Sequence, residues 1–280
     1  MAVSVAMARA VAEGGKAGWR PRVLSALVLA PVALAAVVLG GAYFAALVAL
    51  GSGTLAWEWR RLCGEGRFGA VGWLLLAGVE AVVAAAALGH FAAAAALALV
   101  AALAVYAAFG AKGGASAAWH GCGAIYIAVP SIALLWLRET AGAAPVLWLF
   151  LVVWATDIAA YAAGRSLGGP RLAPRISPRK TWAGFLGGIL AASAVGTLAG
   201  PSLGVSSRAS LAALSAFLSL VAQGGDLAES AIKRRFGIKD MSGLIPGHGG
   251  LFDRVDGLLA AAPAAALLQL VSPGSALAWR

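Results

Sequence analysis

The stretch PGHGGLFDRVDG, residues 246–257, gathers His248, Asp253, Arg254 and Asp256 among several glycines, near the end of a chain with only 11 acidic residues in 280. A second polar segment precedes it, QGGDLAESAIKRRFGIKDM, residues 223–241. If one helix runs through its first half, Asp226, Glu229, Ser230 and Lys233 stand at i, i+3, i+4 and i+7 and share a face. Asp253 and Asp256, three apart in a restarted helix, also project to one side. The intervening SGLIPGHGG cannot be regular structure, and its glycines permit close approach of backbone to a ligand. A third segment, GRSLGGPRLAPRISPRKTWAGFLGG at 164–188, carries Arg165, Arg171, Arg175, Arg179 and Lys180 with no acid, plus the hydroxyls of Ser177 and Thr181. Its prolines and glycines forbid a long helix over 168–178, and Pro178 is placed to open the following helix, where free N–H groups and cations would meet an anion.

Carboxylates set among cations are what a divalent metal and a polyphosphate need together. Asp and Glu supply hard oxygen donors for Mg²⁺, while Arg and Lys supply donors for phosphate oxygens. Metal-assisted attack at phosphorus gains its rate from positioning and from neutralising charge that moves to the leaving group. The bland alternatives are a basic loop on the cytoplasmic side and internal ion pairs with Lys233, Arg234 and Lys239, but ion pairs leave the glycines unexplained.

The elements that must position these groups are membrane helices. Hydrophobic residues make up 61% of the chain and charged residues 11%, far outside the soluble range, so the expected class is an all-α polytopic membrane protein. Apolar runs of spanning length fall at 23–40, 42–57, 69–88, 91–109, 118–137, 144–163, 183–200, 208–224 and 255–271. Lys and Arg collect on the cytoplasmic side of a bilayer. With the N-terminus inside, all 21 basic residues except Arg138, Arg208 and Arg280 fall there, which supports an odd number of spans. The chain divides into a cytoplasmic segment 1–22, N-terminal spans 23–137 and a C-terminal catalytic region 138–280. The expected location is an integral bacterial inner membrane with the polar segments facing the cytoplasm. The partners are the lipid bilayer and small substrates, with no nucleic acid.

SAIKRRFGIKDMSGLIPGHGGLFDRVD, residues 230–256, resembles the signature of the phosphatidate cytidylyltransferases: S-x-x-K-R, then K-D, then P-x-H-G-G-x-x-D-R-x-D, with every fixed position filled. DIAAYAAGRSLGG and LAPRISPRKTW resemble the second conserved region of that family, so the likeness covers roughly 157–257. Many members have Glu after the lysine-threonine-tryptophan stretch where this chain has Ala183, and no role is carried over for that acid. The resemblance implies transfer of CMP from CTP to phosphatidic acid, releasing pyrophosphate, with Mg²⁺ required, and it suggests a homodimer that the residues themselves do not demand. On that reading Asp226, Asp253 and Asp256 hold the metal, with Asp256 either a ligand or an orienting group. Lys233 and Arg234 neutralise the lipid phosphate or pyrophosphate. Arg165, Ser177, Lys180 and Thr181 hold phosphate, and Ser230, Lys239, Asp240 and Arg254 complete the substrate site. The lipid phosphate is already an anion, so no protein base is obligatory, and His248 is equally suited to a base or to a hydrogen bond with nucleotide or loop.

Asp157 lies inside a span, where an unpaired carboxylate is costly, and its match to the family favours the active-site cavity. Glu80, deep in another span, reads as structural pairing or a protonated acid. His90 and His120 sit at span ends and read as interfacial. Cys63 and Cys122 lack any metal or disulfide spacing. An ion-coupled transporter is the main rival, resting on Asp157 and Glu80, but it predicts repeats and midplane polarity. A CDP-alcohol phosphatidyltransferase would need an Ala-Arg pair that DGLLAA at 256–261 lacks. A CTP-dependent lipid kinase would release CDP in place of pyrophosphate.

Overall fold

Residues 19–63, 68–110, 117–199, 207–245 and 249–271 are described in a computed structural model. Each apolar run becomes one helix: α1 Trp19–Leu39, α2 Gly41–Cys63, α3 Gly69–Ala87, α4 Phe91–Gly110, α5 Ala117–Ala141, α6 Ala143–Leu167, α7 Trp182–Ala199, α8 Arg208–Arg235 and α9 Phe252–Val271. Seven of them, α3 to α9, are long and apolar enough to cross a membrane. The far end of α2 is polar, carrying Glu58, Arg60 and Arg61.

Close packing of small residues draws membrane helices together where lipid gives no hydrophobic drive between them. On α7 the residues Gly184, Gly188, Ala192 and Gly196 form one buried stripe, and α7 lies along α6 on one side and α8 on the other. A methyl at Gly184 would come within 2.6 Å of the Ala160 carbonyl oxygen, so these backbones meet only because glycine is there. Beneath this contact Thr156 Oγ1 donates to Ser219 Oγ at 2.9 Å, and Gln223 Nε2 to the Phe185 carbonyl at 3.2 Å. α5 is the most enclosed of the membrane-spanning helices.

α8 runs unbroken for 28 residues, about 42 Å at 1.5 Å per residue, which exceeds a hydrocarbon core of about 30 Å. Its polar last turns therefore project beyond the span at 208–224 and keep Asp226, Glu229, Ser230 and Lys233 helical.

Two sequence expectations change. Pro178 does not open a helix: it lies in β2, Ser177–Thr181, which pairs antiparallel with β1, Arg171–Ala173. Both strands of a two-stranded ribbon are edges, where proline's missing donor is tolerated. The helix then starts at Trp182, with Thr181 Oγ1 accepting from Gly184 N at 3.1 Å as its cap. His120 is not interfacial but fully buried and stacked on Phe109, ring centroids 3.8 Å apart, since the start of α5 is covered by neighbouring helices. His90 is exposed between α3 and α4.

Candidate active site

Three elements converge at one end of the bundle: the β1–β2 hairpin, the last turns of α8 and the first turns of α9. The hairpin tip is tied to α8 by Arg234 Nε, which donates to the Ile176 carbonyl at 3.3 Å. At its base, Lys180 Nζ lies 2.5 Å from Asp226 Oδ2. α8 and α9 approach so closely at Gly225 that a Cβ there would meet the Asp256 carbonyl oxygen at 2.8 Å. That contact sets Asp226 beside Asp256.

The result is a group of three carboxylates. Asp226, Glu229 and Asp256 each offer an oxygen, all within 4.8 Å of one another. Two ligands on opposite sides of Mg²⁺ are about 4.2 Å apart, from metal–oxygen distances near 2.1 Å, so the spacing suits a small hard cation. Glu229 is 2% exposed and its Oε1 has no hydrogen-bond partner; its Oε2 is paired with Lys233 Nζ at 2.9 Å. Asp157 of α6 is exposed and is not one of the three grouped acids, but it lies near enough to feel the charges of Asp226, Lys180 and Arg254. Asp226, Glu229, Asp256 and Asp253 thus face two lysines, Lys180 and Lys233, an excess of negative charge that a divalent cation would offset. These residues fit Mg²⁺ by donor type, spacing and charge.

Asp253 is placed differently from Asp226 and Asp256, the other two acids expected to hold the metal. Its Oδ1 accepts from Lys233 at 2.6 Å, while Oδ2 accepts from Met241 N at 3.0 Å and Gly250 N at 2.8 Å. It holds the loop before α9, and Lys233 bridges it to Glu229. Ser230 Oγ reaches Asp226 Oδ1 at 3.5 Å.

Other candidates lie further out. Arg165 Nη1 donates to Tyr161 at 3.1 Å on its own helix. Ser177 is half-buried in β2, Thr181 caps α7, and Lys239, Asp240 and Arg254 are exposed. His248 lies outside the described residues. Glu80 accepts from Ser52 Oγ at 2.9 Å, a helix-to-helix bond away from the carboxylate group.

Two residues carry more than sequence reasoning gave them. Glu229 sits on the noted stripe yet was not placed among the metal ligands. Glu58, far away in α2, was not singled out; the only signal was an acid inside WEWRR at the end of an apolar run.

The family model described as "Cytidylyltransferase family" matches residues 20–271. A protein of Brucella suis biovar 1 named phosphatidate cytidylyltransferase is 51% identical over 154 residues, 54% of this chain and 56% of that relative. One of Rickettsia bellii with the same name is 43% identical over 50% of this chain and 64% of its own length. These alignments span only a little over half of those relatives. A Pseudomonas aeruginosa protein, also named phosphatidate cytidylyltransferase, is 39% identical over 89% of this chain and 96% of its own. A match from the first described helix to the last, with Ser230, Lys233, Asp253 and Asp256 of the signature assembled at one end of the bundle, places this chain in the cytidylyltransferase family.

Proposed function

We propose that the chain transfers CMP from CTP to phosphatidic acid, giving CDP-diacylglycerol and pyrophosphate, at the cytoplasmic face of a bacterial inner membrane. Family membership and the names of its relatives support the reaction class. The single structural observation that supports the reading is the meeting of Lys180 with Asp226 beside Glu229 and Asp256, a cation suited to phosphate next to carboxylates suited to a divalent metal.

A phosphate oxygen of the lipid attacks the α-phosphorus of CTP, a new P–O–P bond forms, and the bond to the β-phosphate oxygen breaks as pyrophosphate leaves. The lipid oxygen is already ionised, so no side chain needs to take a proton from it. Asp226, Glu229 and Asp256 would hold Mg²⁺, which when bound neutralises phosphate charge and aligns the triphosphate. Lys180 binds a phosphate oxygen from the hairpin side. Lys233, held between Glu229 and Asp253, keeps both acids in place and presents positive charge to the lipid phosphate or the departing pyrophosphate. Asp253, besides its expected part as a ligand, holds Met241 and Gly250 at the start of α9. The exposed Arg171, Arg175 and Arg179 of the hairpin draw anionic headgroups and nucleotide to the surface.

Purified chain in detergent, given CTP, phosphatidic acid and Mg²⁺, is expected to release pyrophosphate only with all three present. A chelator should abolish release, and Asp256→Asn should lower it by about a hundredfold or more while the protein stays folded. CDP as product would replace this reading with a lipid kinase, and no nucleotide product at all would remove it.

A further inference from the structure

Glu58 is 0% exposed, and its carboxylate accepts three hydrogen bonds from the far end of the chain. Ser242 Oγ donates to Oε1 at 2.5 Å, Leu251 N to Oε1 at 2.9 Å and Phe252 N to Oε2 at 2.8 Å. The first four N–H groups of a helix lack intrahelical partners, and a negative charge at that end is favoured by the helix dipole. An ordinary cap comes from the residue just before the helix; here it comes from α2, across the bundle. A methyl at Gly250 would run into the same carboxylate, so the loop is shaped to admit it.

Several contacts make this start of α9 rigid. Phe252 packs between Trp59, the neighbour of Glu58, and Tyr126 of α5, ring centroids 5.7 and 5.8 Å away. Asp253 takes the Met241 and Gly250 N–H groups. Glu58 and Asp253 therefore hold Met241 and Ser242 on one side and Gly250, Leu251 and Phe252, the first residue of α9, on the other. Asp256 follows on the next turn, and its place relative to Asp226 and Glu229 is set by where that turn begins.

We infer that Glu58 is a positioning residue for the transfer reaction, acting from α2 through Ser242, Leu251 and Phe252 to set Asp256 against Asp226 and Glu229. The inference rests on the proposed reading of those three acids as the metal group. Glu58 is not one of them, and it touches no part of the hairpin.

The test uses the full chain with Glu58→Gln and, separately, Ser242→Ala. Glu58→Gln keeps the length of the side chain and one acceptor but turns an N–H₂ toward a backbone N–H. Three quantities are read: Mn²⁺ binding without nucleotide by electron paramagnetic resonance, kcat and KM for CTP, and the thermal midpoint. Expected for Glu58→Gln is a loss of about tenfold or more in Mn²⁺ affinity, as displaced outer support gives, with kcat falling alongside and KM for CTP changing much less. Wild-type Mn²⁺ affinity and kcat with only a lower midpoint would overturn the inference and leave Glu58 a helix cap. Should Glu58→Gln fail to fold, Ser242→Ala decides: a severalfold drop in Mn²⁺ affinity upholds the inference, and none overturns it. A wild-type chain that binds no Mn²⁺ yet loses kcat on Glu58→Gln would sink the metal assignment and keep the positioning role. A wild type with neither Mn²⁺ binding nor turnover would overturn both.

Discussion

Lys180 of the hairpin and Asp226 of α8 meet at 2.5 Å, with their side chains 24% and 33% exposed. Both side chains keep partial exposure while Lys180 Nζ itself is shielded, so the pair contributes on the order of 1 kcal/mol to folding. On the proposed reading its value is in function: a lysine resting on a carboxylate that would hold the metal can turn to a phosphate without crossing the site.

Lys180→Ala should therefore leave the thermal midpoint nearly unchanged and damage turnover. A charge-assisted bond to phosphate is worth about 1.5–3 kcal/mol, so kcat/KM for CTP should fall by about 10- to 100-fold. Lys180→Arg should recover part of that. A large fall in midpoint with normal kinetics in the surviving protein would make the pair structural.

Gly225 tests the approach of α8 to α9. A Cβ there would lie 2.6 Å from Ala260 Cβ and 2.8 Å from the Asp256 carbonyl oxygen, and the backbone oxygen cannot swing aside as a flexible side chain would. Alanine stabilises a helix interior over glycine by about 1 kcal/mol, so α8 itself is not weakened. Gly225→Ala should separate Asp226 from Asp256. Since a misplacement near 1 Å can cost about a hundredfold, steady-state kcat should drop by an order of magnitude or more while helical content by circular dichroism holds. Unchanged kcat would show that the two helices adjust freely.

The fold was legible because apolar runs of spanning length leave few choices: all nine runs became helices, with boundaries shifted by a few residues and α8 extended along its polar stripe. The hairpin was not legible. Strands of three and five residues are too short for an alternating pattern, and Pro178 reads equally well as a first helical residue. At the site, Asp226, Glu229 and Lys233 could be put on one face from spacing alone. Which acid stands against Asp226 could not, because Asp253 and Asp256 share a helix face and only the Gly225 contact and the Lys233 bridge separate their places. Glu58 was invisible for a further reason: its partners are backbone N–H groups, which leave no mark on residue type.

Glu80 separates the enzyme from the ion-coupled transporter. Its carboxylate accepts from Ser52 Oγ at 2.9 Å between α2 and α3, and it is not part of the carboxylate group formed by Asp226, Glu229 and Asp256. A hydrogen bond between membrane helices is worth about 0.6 kcal/mol on average and up to about 1.7. Glu80→Gln keeps an acceptor for that hydroxyl, so pyrophosphate release should stay within about twofold of wild type, a change of less than about 0.5 kcal/mol in barrier. Ser52→Ala should lower the thermal midpoint slightly with kcat intact. A transporter makes the opposite demand, since an intramembrane carboxylate that binds or relays an ion cannot lose its charge without loss of transport. Abolished turnover in Glu80→Gln, with the protein folded and Mn²⁺ still bound, would place Glu80 in the working part of the molecule and bring the ion-coupled reading back.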